Sequence, residues 1–134
     1  MSTLELNGRI FDASTTGTLT LTGEGGAATT DVTQGLAKAW VNLEGTASGV
    51  PARDSFNVAS TTDTGTGNYK QTFTNNMSND DYAHNVSGRG STVCFGAPND
   101  GGYATSTMAI YLFNVSGQLV DAAYGIATLH GDLA

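Results

Sequence analysis

Short runs that alternate apolar and polar residues recur along the whole chain. This period of two is the feature that most constrains its fold. In Thr18-Leu19-Thr20-Leu21-Thr22, both leucines fall on one face and three threonines on the other. That is the pattern of a half-buried strand, because successive side chains of a strand point to opposite faces. Leu4, Leu6 and Ile10 form a similar run, with Asn7-Gly8 as its turn. Ala37, Ala39, Val41 and Leu43 share one face of a further strand, and Lys38, Trp40, Asn42 and Glu44 the other. Phe56 and Val58 alternate, as do Tyr69, Gln71 and Phe73. Shorter strands are expected at Tyr82 to Val86, Val93 to Phe95, Leu119 to Ala123 and Tyr124 to Leu129. The 20 threonines favour the same state, since a β-branched side chain suits a pleated surface.

Turn formers separate these runs. Residues 61–68, the polar loop 75–81, Pro98 to Gly102 and Ser116-Gly117 all read as turns. Gly23 to Gly35 reads as a linker, in which Asp31 and Gln34 open one helical turn. The expected organisation is a short N-terminal β segment with linker, residues 1–30, and a C-terminal β module, residues 31–134. The expected fold is all-β, a small antiparallel β-sandwich or barrel-like module. Met108 to Val115 is apolar on both faces, with Met108, Ile110 and Leu112 on one and Ala109, Tyr111 and Phe113 on the other. That suits a central strand, or one covered in part by another subunit.

The core is thin. Leu, Ile, Val and Phe together number 26 of 134 residues, about 19%. The single cysteine, Cys94, excludes an intrachain disulfide and a cysteine-based zinc cage. Oligomerisation is the remaining common source of stability for such a chain. A net charge of −7, from five basic and twelve acidic residues, argues against nucleic acid as a partner. No apolar stretch is long enough for a transmembrane helix, so no membrane insertion is expected. Met1 to Phe11 lacks a basic stretch followed by an apolar one, which predicts no secretory leader.

Catalytic and metal signals are weak, and no cofactor is expected. His84 and His130 are the only histidines, and no nucleophile elbow accompanies them. Cys94, between Val93 and Phe95, reads as a small apolar residue. Asp80-Asp81 and Asp63 lack calcium-loop spacing and read as turn chemistry. As a carboxylate pair for glycoside hydrolysis, adjacent Asp80 and Asp81 would point to opposite faces of a strand. Gly65-Thr66-Gly67 is a turn and not a phosphate loop. The aromatics offer sugar-stacking or subunit-packing surfaces. Tyr103, in a glycine-rich loop, is the expected exposed platform. Trp40, Tyr111 and Phe113 are the expected subunit contacts.

A longer series of motifs resembles a known family. Gly35-Leu36-Ala37-Lys38-Ala39-Trp40-Val41-Asn42-Leu43 is similar to the GLAKAWVNF opening of a module found in bacteriophage virion proteins, especially of marine and cyanobacterial phages. Arg53 to Ser60, Asp63 to Tyr69, Thr72-Phe73-Thr74, Asn79 to Ala83 and the ending Leu129-His130-Gly131-Asp132-Leu133 continue the resemblance, which spans residues 31–134. The resemblance implies a non-enzymatic virion component, typically the C-terminal module of a homotrimeric tail fibre. It implies no catalytic residue. The expected partners are further copies of the chain, other tail, baseplate or capsid proteins, and host surface glycans. Family members usually carry a longer shaft before this module. The short leading segment therefore supports a second expectation, a capsid decoration protein that stabilises the head shell.

Overall fold

The computed structural model describes residues 3–6, 9–12, 20–22, 29–90 and 93–134, with side chains from residue 31 onward apart from 93 and 100. The chain forms two compact units, Met1–Leu36 and Ala37–Ala134. In the first, β1 (Thr3–Leu6), β2 (Arg9–Asp12), β3 (Thr20–Thr22) and β4 (Thr29–Asp31) form an antiparallel sheet in chain order. Leu6 pairs with Arg9, a register that leaves two residues for the link between β1 and β2. Asn7-Gly8 itself lies outside the described residues, as do Thr18 and Leu19. Asp31 caps the single helical turn α1 (Val32–Gly35), accepting from the Thr33 backbone N–H at 2.9 Å. The expected linker over 23–35 is corrected in its second half. Thr29–Asp31 is a paired strand, and only Gly23 to Ala28 falls outside the described residues.

The second unit is an eight-stranded antiparallel sheet. Its strands are β5 (Ala39–Leu43), β6 (Ala52–Phe56), β7 (Val58–Gly65), β8 (Asn68–Phe73), β9 (Ala83–Arg89), β10 (Val93–Pro98), β11 (Thr107–Asn114) and β12 (Tyr124–His130). Their order across the sheet is β6-β5-β12-β9-β10-β11-β8-β7. The two end strands, β6 and β7, are consecutive in the chain, separated by Asn57 alone. The sheet therefore rolls almost closed into a barrel, and Asn57 stands at the seam. Rolling protects the edges that an open sheet exposes.

Closure at the seam depends on side chains more than on strand pairing. Asn57 has φ of 56°, a left-handed value that Asn tolerates better than most residues. Its Nδ2 donates to the carbonyls of Lys38 and Asn75, each at 3.0 Å. Its Oδ1 accepts from the Asn75 backbone N–H at 2.7 Å. Thr61 adds a hydrogen bond from its hydroxyl to the Val50 carbonyl. Phe56 and Val58 thus belong to two strands. Phe56 is exposed, while Val58 packs against the core.

The alternation read from the sequence sets which faces are buried. Ala39, Val41 and Leu43 of β5, Tyr69, Gln71 and Phe73 of β8, and Ala127 and Leu129 of β12 point into the barrel. On β11, Met108, Ile110 and Leu112 point inward and are fully buried. Ala109 on its opposite face is buried as well, because Gly102 of the single turn Asp100–Gly102 lies directly against it. Gln71 is the exception to the apolar interior. It is 0% exposed, and neither end of its amide meets a hydrogen-bond partner. An unmet buried amide costs about 1–3 kcal/mol.

One expected loop and one expected strand differ in the structure. Residues 58–65 are strand β7, and the turn into β8 shrinks to Thr66-Gly67. Thr61, Thr62 and Thr64 lie on a largely exposed strand at the end of the sheet, where turn formers and β-branched residues are hard to tell apart by composition. Leu119 to Ala123 is no strand beyond a bridge from Leu119 to Phe113. It is held instead by the Val120 backbone N–H donating to the Leu112 carbonyl at 3.0 Å, and by Asp121.

Candidate functional site

Three side-chain groups on the barrel carry polar or aromatic chemistry. The first is internal. The Tyr69 hydroxyl lies 2.9 Å from Asp121 Oδ1 and 3.0 Å from the Gly45 carbonyl, so its single proton serves one of them at a time. The Gly67 backbone N–H donates to the same Asp121 oxygen at 2.8 Å. Burial, followed by the hydrogen bond and charge of Asp121, holds the Tyr69 hydroxyl well above the usual phenol range. The group ties three loops together, with Tyr69, Gly45 and Gly67 buried and Asp121 at the surface.

The second group contains Tyr103. The sequence points to an exposed platform there, and the structure corrects this. Tyr103 is half-buried and packs against the core. Its ring stacks on Tyr82 at 5.2 Å, and its hydroxyl lies 2.7 Å from His84 Nδ1. A loop tyrosine with an apolar ring and a polar tip gains more from such a pocket than from water. Tyr82 donates to the Thr107 carbonyl at 2.9 Å, and burial pushes its hydroxyl up to about 12. Burial lowers the pKa of His84, because a charged imidazolium is disfavoured there.

That shift has a consequence for stability. Above the ordinary histidine range both folded and unfolded chains hold His84 neutral. As pH falls through that range, the unfolded chain protonates first, so folding loses free energy. Below the lowered folded value the loss levels off. Urea midpoints measured from about pH 8 to pH 5 are expected to fall across the lower half of that window. His84→Gln keeps a partner for Tyr103 and is expected to flatten that part of the profile. An unchanged slope would assign the loss to other groups.

The third group is the outer face of the sheet, which holds the remaining predicted residues. One row runs in register across six strands: Asp54 of β6, Asn42 of β5, Ile126 of β12, Ser87 of β9, Phe95 of β10 and Phe113 of β11. At about 4.8 Å between strands, this row is some 24 Å long. The adjacent outward positions include Phe56 paired with Trp40, Trp40 paired with Thr128, Thr128 paired with Asn85, and Ala97 paired with Tyr111. Among these eleven positions and Asp54, Asp54 alone is charged.

Phe95 and Phe113 stack at 5.5 Å, and Tyr111 lies 5.8 Å from Phe113. Phe56 is 51% exposed, Phe95 47% and Ile126 39%. Trp40, Tyr111 and Phe113 are half-buried on the same face. The structure thus brings Tyr111 and Phe113 together, leaves Trp40 four strands away on the outer surface, and sends Tyr103 into a separate pocket. Phe95, Phe56 and Ile126 were missed. Their signal is long-range register, although the outward phase of Phe56 and Phe95 is readable from alternation.

No protein-family model, curated protein or solved structure matches this chain. The site is therefore read from its own chemistry. Among the described residues, no three His, Cys, Asp or Glu side chains gather where they could hold a metal ion. Asp80 and Asp81 are exposed in a loop, where the Asp81 N–H donates to Asn79 Oδ1 at 3.0 Å, the turn chemistry expected of them. Cys94 is half-buried against the core, consistent with a small apolar residue. No helix of the described residues is long and apolar enough to cross a membrane.

Proposed function

We propose that this chain is a non-enzymatic structural component of a bacteriophage particle, a homotrimeric fibre or knob module that assembles through the outer face of its barrel and contacts the host surface. The observation that carries the assembly reading is the row Asn42–Ile126–Ser87–Phe95–Phe113, with Trp40, Phe56 and Tyr111 beside it. A chain of net charge −7 repels its own copies, so self-association needs a face without charge. The outer surface around Phe95, Phe113 and Tyr111 offers one, and stacked aromatics are the side chains that dominate interface energetics. The particle assignment comes from the motif series over residues 31–134. A decoration protein seated on a shell would use a similar face, but nothing in the geometry favours it.

Light scattering of the purified chain tests the reading. A mass of three times 13.7 kDa is expected. Phe95→Asp places a charge in the row without disturbing the buried core, and is expected to give folded monomers. A wild-type monomer, or a variant whose mass is unchanged, would overturn the assembly reading.

A further inference from the structure

Only five of the 134 residues are basic, yet two of them converge on one ring. The guanidinium carbons of Arg53 and Arg89 lie 4.4 and 5.4 Å from the centroid of Tyr124. Sheet geometry explains the convergence. Tyr124 opens β12 directly across from Arg89 on β9. Arg53 is the extra residue where the β5–β6 register slips, between Asn42–Asp54 and Leu43–Ala52. A bulge of this kind re-aims a side chain.

The two guanidiniums differ in what holds them. Arg53 Nη2 donates to the Ala123 carbonyl at 3.2 Å, and the same group pairs with Glu44. Arg53 is thus fixed by a carboxylate, a carbonyl and a ring. Arg89 is exposed and pairs with no carboxylate among the described residues. Glu44 offsets one of the two positive charges, which leaves one cation anchored on an aromatic face. The neighbouring outward residues on these strands, Ser87 and Ile126, are uncharged.

We propose that Arg89, backed by Arg53 and the Tyr124 ring, binds the carboxylate of an acidic sugar residue in a surface polysaccharide. The guanidinium fork matches a carboxylate with two parallel hydrogen bonds. Stacking on Tyr124 limits the rotamer freedom that Arg89 loses on binding. The net charge of the site suits a singly charged group. The exposed Ser87 hydroxyl, two residues before Arg89, is positioned on the same face for a sugar hydroxyl. The site lies at the rim of the aromatic face, where an interface keeps its polar groups in water. The inference rests on the host-surface part of the function proposed above and names the ligand class.

NMR titration of the full chain with tetragalacturonate tests it, with maltotetraose as the neutral counterpart and inorganic phosphate as the free-anion counterpart. Tetragalacturonate is expected to shift the Arg89 side-chain and Ser87 amide resonances, and the effect should fade at about 500 mM salt. Maltotetraose is expected to shift neither. Arg89→Ala, at an exposed position, is expected to weaken binding by at least about fivefold with the solution mass unchanged. An equal response to phosphate, an equal response to maltotetraose, or unaltered binding by Arg89→Ala would overturn the proposal. A monomeric wild-type chain that still binds tetragalacturonate would overturn the assembly reading and support this one.

Discussion

Replacing Gly67 by alanine is expected to lower stability by about 3 kcal/mol or more. Gly67 has φ of 62°, in the left-handed region, where an L-residue pays about 1–2 kcal/mol. A Cβ there would also lie 2.7 Å from the Leu112 carbonyl oxygen and the Val120 nitrogen, and 2.8 Å from the Val120 carbonyl oxygen. All three atoms are backbone, so no side chain can turn aside, and overpacking of this kind adds about 1–3 kcal/mol. The residue also joins three segments. Its N–H donates to Asp121 at 2.8 Å, and its carbonyl accepts from the Leu112 N–H at 2.8 Å. Gly49 supplies the control. It has φ of 77°, and a Cβ there would meet nothing within 4 Å. Gly49→Ala should therefore cost only the conformational part, about 1–2 kcal/mol. Urea unfolding of both variants measures the difference. Equal losses would mean that the 115–123 loop yields to the added methyl.

The second large effect is expected at the seam. Asn57→Ala removes the side-chain bonds to the Lys38 and Asn75 carbonyls and to the Asn75 N–H, and it leaves a β-carbon at φ of 56° without Asn's local compensation. At about 1 kcal/mol net for each bond, with a further contribution from the backbone, a loss of about 3–4 kcal/mol follows. Asn57→Gly keeps the backbone conformation at little cost and loses the bonds. It is expected to recover about 1 kcal/mol of the difference. The amides of β6 and β7 should then exchange faster with solvent than those of β9 and β12, because β6 and β7 end the sheet while β9 and β12 pair on both sides. Uniform acceleration across all eight strands would mean that the barrel opens only as a whole, with no separate seam.

Individual residues show how far the sequence was legible. Ala39, Val41 and Leu43 alternate with Trp40 and Asn42, and the barrel buries the first set. The same holds for Tyr69, Gln71 and Phe73, even though Gln71 is polar, because strand phase and not residue type decides its direction. Asp31 was readable as a helix start because capping is a contact between near neighbours in the chain. Residues 61–65 were misread because a polar edge strand and a polar loop share a composition. Tyr103 was misread because its pocket is made by Tyr82 and His84, about twenty residues earlier in the chain.

The sequence by itself determined the all-β class, the phase of most strands and the inward set of the core. Those properties follow from the pleat, which is local and repeats every two residues. Only the tertiary structure decided the strand order, the near-meeting of β6 and β7, and the registers that align Ile126 with Phe95 and Phe113. It alone brought Arg53 and Arg89 to Tyr124. Such pairings join residues tens of positions apart. They are chosen by which combination of buried faces fills one barrel interior, a property of the whole set of strands that no single run of residues carries.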